Sequence, residues 1–262
     1  MEMFVEFKRG NASDPFYSHD QLPFEKLFEK ICGTRGQIVL YSTRMQTYQF
    51  RTWAFSIGIF GEVARLFRWD RAGAIVSEPI PYLQRGNRDL PEFLCRFDLM
   101  THAQRGLDPT VFDATPEEAT AFDDAIKAIV GGGKDVLFKN LCDSVGNQVN
   151  YPRRRIEIPA GDDEDEHMTS YIVGRSTANV RSPTGRATRC FVAMSKDTGK
   201  LVFLKDSWRP DIEGMKGEAH WFGKLDGTSQ TICLSSKSCY CTRSTSSLVS
   251  IYYVHVHSAL LL

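Results

Sequence analysis

A lysine at the end of an apolar strand is the side chain of this sequence best suited to phosphate chemistry. The string Val202-Phe203-Leu204-Lys205 has the composition of a buried strand and ends in an ammonium group. Glu218 follows on a segment predicted to be helical, residues 212–225. An ammonium group can neutralise the α and β phosphates of a nucleotide, and a carboxylate on a helix can fix its orientation. By spacing alone, an exposed lysine–glutamate ion pair is the more common structure.

Three consecutive strands are predicted around this lysine. Residues 168–173, 189–194 and 200–204 each have an apolar composition typical of a strand. The connection between the first two contains Gly185, and glycine allows the close backbone approach that a phosphate-covering turn needs. Residues 196–199, Lys-Asp-Thr-Gly, have the composition of a turn between the second and the third. The pattern predicts strand, glycine turn, strand, turn and lysine strand, followed by a helix.

Several strings of the sequence, in order from about residue 35 to 227, are similar to those of the fungal-type protein kinase family, a divergent branch of the kinase-like fold. They are Arg35-Gly36-Gln37 with Tyr41, Gln49-Phe50-Arg51-Thr52, Ala64-Arg65-Leu66-Phe67-Arg68-Trp69-Asp70-Arg71-Ala72-Gly73-Ala74-Ile75-Val76, Arg105-Gly106-Leu107-Asp108-Pro109-Thr110, Arg181-Ser182-Pro183-Thr184-Gly185-Arg186 and Phe203-Leu204-Lys205-Asp206-Ser207-Trp208-Arg209. The resemblance implies ATP-dependent phosphorylation of Ser or Thr in a protein substrate, with ATP and Mg²⁺ as cofactors.

The resemblance also implies which residues bind ATP. Lys205 is the phosphate lysine, Glu218 its helix partner with Glu213 as the alternative, and Gly185 the glycine of the turn. Where the family has a further glycine, this sequence has Ala187, whose methyl group hinders the approach of backbone to phosphate and disfavours a positive φ.

The resemblance stops near Gly227, and no His-Arg-Asp loop or Asp-Phe-Gly metal site follows it. Phosphoryl transfer needs aligned metal ions and a residue that orients the acceptor hydroxyl. We therefore assign no catalytic and no metal-binding residue, and we expect the chain as given to be a fragment that does not transfer phosphate.

A second pattern lies at the amino terminus. Glu6 and Lys8 lie on one face of a predicted strand, and Gln37 and Tyr41 lie on a predicted helix. This is similar to restriction-endonuclease-like nucleases of the RecB type, in which a glutamate and an upstream aspartate bind metal. That aspartate would precede residue 1, and such a site needs at least two carboxylates, so we expect at most a degenerate nuclease domain. A non-catalytic binding fragment is the third hypothesis.

The predicted fold class is α+β. We expect an amino-terminal domain of helices and antiparallel sheet over 1–140, a charged linker over 141–167 and a partial kinase amino-terminal lobe over 168–227. The linker carries a basic triplet at 153–155, followed by five consecutive acidic residues. The last segment, 228–262, has nine serines and no acidic residue, and we expect a poorly ordered tail unrelated to the rest.

Composition excludes several classes of protein. The 262 residues contain 32 basic and 32 acidic side chains, so net charge gives no reason to expect a nucleic-acid partner. No stretch approaches the ~20 apolar residues of a membrane span, and the first residues do not have a secretory signal pattern. Seven cysteines, mostly scattered, favour a reducing compartment. We expect an intracellular protein, cytoplasmic or nuclear, and make no prediction of its oligomeric state.

Overall fold

The computed structural model describes residues 2–18, 20–130, 145–159, 168–177, 180, 182–185, 187–210, 231–233, 237–239 and 252–256. The fold is α+β, as the sequence predicts. Its elements, in chain order, are β1 (Phe4–Lys8), a 3-10 helix (Asn11–Ser13), α1 (Glu29–Tyr48), β2 (Ala54–Phe60), β3 (Val63–Trp69), β4 (Gly73–Ser77), α2 (Asp89–Leu99), β5 (Val111–Asp113), α3 (Pro116–Val130), β6 (Arg154–Pro159), β7 (Met168–Val173), β8 (Arg189–Ser195), β9 (Leu201–Asp206), β10 (Trp208–Pro210), β11 (Thr231–Cys233), β12 (Lys237–Cys239) and β13 (Tyr252–Val256).

The chain forms two compact units. The first unit comprises Met1–Asp108, Val180–Gly185 and Cys241–Leu262, and the second comprises Pro109–Asn179 and Arg186–Tyr240. The first boundary between the two units therefore lies after Asp108, whereas the sequence predicts a domain boundary near residue 140. None of the helices in the described ranges is long and apolar enough to cross a bilayer.

The first unit is built on a five-stranded sheet with the order β1-β2-β3-β4-β13. Strands β2, β3 and β4 are antiparallel neighbours. The sequence predicts an antiparallel sheet, which β2, β3 and β4 form, whereas β1 pairs with β2 in parallel. A parallel pair needs a crossover connection, and α1 supplies it between β1 and β2.

The sheet of the first unit is covered by a helix on each face. On one face, Ile38 and Met45 of α1 pack with Phe67 and Trp69 of β3. On the other, Phe93 and Phe97 of α2 pack with apolar side chains of β2, Phe55 and Ile57 among them. Helix α1 contains Gln37 and Tyr41, as the sequence predicts, and begins at Glu29.

The second unit is built on a six-stranded sheet with the order β11-β9-β8-β7-β6-β5. Strands β7, β8 and β9 are the three consecutive strands that the sequence predicts around Lys205, and they pair in antiparallel. Helix α3 packs on this sheet through Phe122 and Ile126. The helix begins with a capping box: the Thr115 amide donates to Glu118 Oε2 (2.9 Å), and the Glu118 amide donates to Thr115 Oγ1 (3.2 Å).

The predicted linker contains a strand of this sheet. Residues 154–159 form β6, which pairs with β7 along its whole length. Arg153 is 7% exposed, its guanidinium lies 2.8 Å from Asp123 and donates to the Val145 carbonyl at 2.9 Å. The sequence predicts a charged linker here, but Arg153 of the basic triplet is a buried guanidinium whose hydrogen bonds and ion pair hold it in the fold. The acidic run at 162–166 lies outside the described residues.

The predicted tail is described in three pieces only. Residues 231–233, 237–239 and 252–256 are strands that pair with β9, β10 and β4, where the sequence predicts no regular structure. The remainder of 228–262 lies outside the described residues.

Candidate functional site

Lys205 lies near the end of β9, directly opposite Cys190 of β8. The register places Val192 opposite Phe203 and Met194 opposite Leu201, so these side chains share the face of the sheet that carries Lys205. Helix α3 packs at the Met194 end of this face. At the other end, Phe203 is 45% exposed and Lys205 is partly exposed. The lysine therefore stands at the accessible end of a half-covered apolar face.

The opposite face of the same strands is closed. Arg189 of β8 and Asp206 of β9 are directly opposite each other and form an ion pair with side-chain exposures of 3% and 6%. Leu204 and Phe191 are buried beside them at 0% and 1%. This pair and these apolar side chains fix the end of β9 and so the backbone that carries Lys205.

The predicted partners of Lys205 are only partly described. Glu218 and Glu213 lie outside the described residues. Gly185 is described, has a φ of +79° and belongs to the first unit, whereas Lys205 belongs to the second. Ala187 adopts a φ of +39°, a left-handed conformation that costs an L-residue roughly 1–2 kcal/mol. The backbone thus adopts a positive φ at the position where the resemblance implies a glycine.

Gly185 and Pro183 form hydrogen bonds with Arg71, which is distant from them in the sequence. Its amide donates to the main-chain carbonyl of Arg71 at 3.0 Å, and the Arg71 guanidinium donates to the Pro183 carbonyl at 3.0 Å. Arg71 is 4% exposed. It lies in the loop between β3 and β4, so two of the strings that carried the family resemblance are in contact.

Two further strings of this set also pair with each other. The Thr52 amide donates to the Gly106 carbonyl at 2.8 Å, and the Asp108 amide donates to the Phe50 carbonyl at 3.0 Å. Arg51 and Leu107 form an isolated antiparallel bridge between them. Residues 49–52 and 105–108 of these strings therefore form a structural joint within the first unit.

The side chain of Arg51 reinforces this joint. It is buried at 3% exposure, donates to the Arg105 carbonyl at 2.6 Å and lies 3.1 Å from Glu2 Oε2. Burial lowers the pKa of Arg51. Burial by itself would raise the pKa of Glu2, but the Arg51 guanidinium holds that pKa below its ordinary value. Sequence analysis gave no structural role to Arg51 or Arg71, although each lies inside a string that carries the family resemblance.

The four residues of the amino-terminal pattern come together. Lys8 Nζ lies 2.7 Å from Glu6 Oε1 and donates to Gln37 Oε1 at 2.8 Å, and Gln37 Nε2 donates to the Tyr41 hydroxyl at 2.8 Å. Glu6 is 8% exposed. Within the described residues, no group of three or more His, Cys, Asp or Glu side chains is arranged to hold a metal ion. The cluster is therefore a polar link between β1 and α1 with one carboxylate.

A profile of the family described as fungal protein kinase matches residues 29–224. This chain belongs to the fungal protein kinase family. The match spans about three quarters of the 262 residues and confirms the resemblance inferred from the sequence. No curated protein matches the chain, and no solved structure does.

Membership of the fungal protein kinase family implies ATP with Mg²⁺ and a protein substrate in general terms. Of the described residues, Lys205 has the charge and the partial exposure to bind a phosphate group. The Gly185 amide already donates to the main-chain carbonyl of Arg71, so in this conformation it is not available to donate to a phosphate. The match includes Gln37 and Tyr41, whereas Glu6 and Lys8 lie before its first residue.

Proposed function

We propose that the second unit is the nucleotide-binding part of a fungal protein kinase and that Lys205 neutralises the phosphates of ATP. The observation that carries this proposal is the position of Lys205 on β9, at the accessible end of the face that α3 covers at its other end. Glu218 would orient the ammonium group, as the family resemblance implies. The reaction class is ATP-dependent phosphorylation of Ser or Thr.

Equilibrium binding of a fluorescent ATP analogue to the 262-residue polypeptide tests this role of Lys205. We expect Lys205→Met to weaken binding at least roughly tenfold, because a charge-assisted contact to phosphate is lost. Lys200→Met is the matched control, since Lys200 is exposed and precedes the same strand. Equal affinities of the wild type and Lys205→Met would contradict the proposal, and no binding by the wild type would favour the non-catalytic fragment.

We infer further that this polypeptide on its own binds ATP without transferring phosphate. The 262 residues contain neither a His-Arg-Asp nor an Asp-Phe-Gly string, and phosphoryl transfer depends on the base and metal ligands that such strings supply. Incubation with labelled ATP, Mg²⁺ and a general protein substrate is expected to give no labelled product. Transfer that disappears in Lys205→Met would overturn this inference.

A degenerate nuclease-like domain is a second candidate function for the first unit. It is favoured by the contacts of Lys8 with Glu6 and Gln37 and by the β1-α1-β2 arrangement on which they lie. A single carboxylate is too few to bind a catalytic metal ion. We expect no nicking of supercoiled plasmid in Mg²⁺ or Mn²⁺, and nicking that Lys8→Met abolishes would revive an active nuclease.

An intracellular location, cytoplasmic or nuclear, completes the proposal. It rests on the seven mostly scattered cysteines of the sequence, which favour a reducing compartment. Fluorescence microscopy of the tagged chain in a fungal cell tests it, and recovery of the chain from the culture medium would contradict it.

A further inference from the structure

Strand β1 lies at one end of the five-stranded sheet of the first unit. Of the strands that the structure describes, β2 alone pairs with it. The Lys8 carbonyl accepts from the Gly61 amide, directly after β2, so the main-chain groups of Lys8 point towards β2. Because these groups alternate in direction along a strand, those of Val5 and Phe7 point to the outer edge. They are placed to form hydrogen bonds with a further strand.

The side chains of Val5 and Phe7 continue an apolar face of the sheet beyond the helix that covers it. Val5 is 41% exposed and Phe7 is 71% exposed. The register places them beside Ile57 and Ile59 of β2, which are buried in the apolar cluster under α2. A further strand with apolar side chains on this face would therefore remove Val5 and Phe7 from water.

Strand β1 lacks the features that usually prevent edge-to-edge pairing of strands. Its sequence, Phe-Val-Glu-Phe-Lys, contains neither proline nor glycine, and its register with β2 has no bulge. Its two charged side chains, Glu6 and Lys8, lie on the face opposite Phe7 and are 2.7 Å apart. Because these charges neutralise each other, β1 does not repel a second strand of the same sequence.

The charges of β1 are complementary to those of a second β1 in antiparallel orientation. Residues directly opposite each other in such a pair share a face, so three registers are central: Phe7 opposite Phe7, Phe7 opposite Val5, and Val5 opposite Val5. The first register places Glu6 of each copy opposite Lys8 of the other. The second places Glu6 opposite Glu6, and the third places it opposite Phe4. Opposite charges favour the first register, and like charges disfavour the second.

We propose that the outer edge of β1 is the interface of a homodimer, in which β1 of two copies pair in antiparallel orientation with Phe7 opposite Phe7. The two five-stranded sheets then form one continuous sheet. The two Phe7 rings cover each other on one face, and the Glu6 and Lys8 side chains of both copies alternate in charge on the other. This pairing involves the first unit and does not rest on the proposed nucleotide site.

Sedimentation velocity of the 262-residue polypeptide over a range of concentrations tests the interface. We expect a dimer, and we expect Phe7→Lys to weaken dimerisation at least roughly tenfold, because two ammonium groups replace the apolar pair. Phe28→Lys is the matched control and should dimerise as the wild type does. Phe28 directly precedes α1 and is 68% exposed, close to the exposure of Phe7.

Two results of the sedimentation experiment would overturn the proposal. The first is a wild type that remains monomeric up to about 100 μM, since the dimer would then be too weak to form at ordinary concentrations. The second is a dimer that Phe7→Lys leaves unchanged, since its interface would then lie elsewhere. Because Phe7 is exposed, its substitution is expected to leave the fold intact.

Cysteine cross-linking tests the register. With Phe7 opposite Phe7, the two Cα atoms are about 5.5 Å apart, so the thiols of Phe7→Cys are within reach of a disulfide. Val5 of one copy lies four positions from Val5 of the other, about 14 Å, which is too far. We expect oxidation to cross-link Phe7→Cys and not Val5→Cys, above the background of the seven native cysteines in the wild type. Cross-linking of Val5→Cys, or none of Phe7→Cys, would overturn the proposed pairing.

Discussion

Lys8 Nζ and Gln37 Oε1 are 2.8 Å apart although 29 positions separate the two residues in the sequence. The contact connects β1 to α1. Because Lys8 also lies 2.7 Å from Glu6, it neutralises a carboxylate on a residue that is only 8% exposed. The same contacts that suggest a former nuclease site therefore also stabilise the fold.

We expect Lys8→Met to reduce the free energy of unfolding by about 1–3 kcal/mol, because the change leaves the Glu6 carboxylate without its cation. Adding Glu6→Gln should recover part of this loss, since an amide costs less to bury than an unpaired charge. Urea unfolding measures both variants. Lys30→Met, at an exposed position of α1, is the control. A double variant less stable than Lys8→Met would show that Glu6 has another stabilising partner.

The buried ion pair of Arg65 and Asp14 should contribute more to the free energy of unfolding than the pair of Lys8 and Glu6. Arg65 Nε lies 2.8 Å from Asp14 Oδ2, the side chains are 1% and 5% exposed, and the guanidinium also donates to the Ser77 carbonyl at 2.8 Å. Removal of one partner of such a pair costs about 3–5 kcal/mol, so Arg65→Met should lower the urea midpoint sharply or prevent folding.

The exposed pair of Arg96 and Glu92 on α2 is the matched comparison for Arg65. Their side chains are 48% and 54% exposed, and such pairs contribute about 0–1 kcal/mol. Arg96→Met should therefore change the free energy of unfolding little. Similar losses in Arg65→Met and Arg96→Met would mean that burial does not set the strength of these pairs.

Local signals in the sequence predict the elements that short segments specify. The capping box of Thr115 and Glu118 needs four consecutive residues, and the β2–β3 hairpin needs two apolar runs joined by Gly61-Glu62, so both can be read from a short window. Lys205 was placed on its strand for the same reason. The family resemblance also identified the strings at 49–52, 64–76, 105–110 and 181–186, but only the structure shows which of them are in contact.

Long-range contacts could not be predicted in this way. The parallel pairing of β1 with β2 depends on where α1 crosses the sheet, and the burial of Arg153 depends on Asp123 of a separate helix. The contact of Arg71 with Pro183 joins residues with no sequence relation to each other. In each case the deciding partner lies 30 or more positions away, or on another element, and a local pattern contains no information about it.

Gly106 and Gly86 allow a clash to be separated from backbone strain, because both have a φ of +89°. A Cβ on Gly106 would lie 2.1 Å from the Trp53 carbonyl oxygen, whereas a Cβ on Gly86 would have no atom within 4 Å. Each alanine substitution carries the left-handed strain of roughly 1–2 kcal/mol. Gly106→Ala should cost at least about 2 kcal/mol more than Gly86→Ala. Equal losses in thermal or urea unfolding would show that the backbone at 105–108 can shift to accommodate the added methyl group.

Glu118 links α3 to two other parts of the second unit and should make its stability depend on pH. Its carboxylate lies 3.0 Å from Lys196 Nζ and 3.4 Å from Arg155 Nη1, in addition to the hydrogen bond from the Thr115 amide. Burial by itself raises the pKa of Glu118, but the Thr115 amide, Lys196 and Arg155 together hold that pKa below its ordinary value.

Because the pKa of Glu118 is lower in the folded than in the unfolded chain, its contribution is fully present above the unfolded pKa of about 4.3. The contribution is lost as the pH falls through the folded pKa. Glu118→Gln should therefore be less stable than the wild type at pH 7 by about 0.5–1.5 kcal/mol, with the difference shrinking below about pH 4. Urea unfolding at a series of pH values measures it, with Asp124→Asn in an exposed pair as control. A difference that stays constant down to pH 3 would place the effect of Glu118 in its packing and not in its charge.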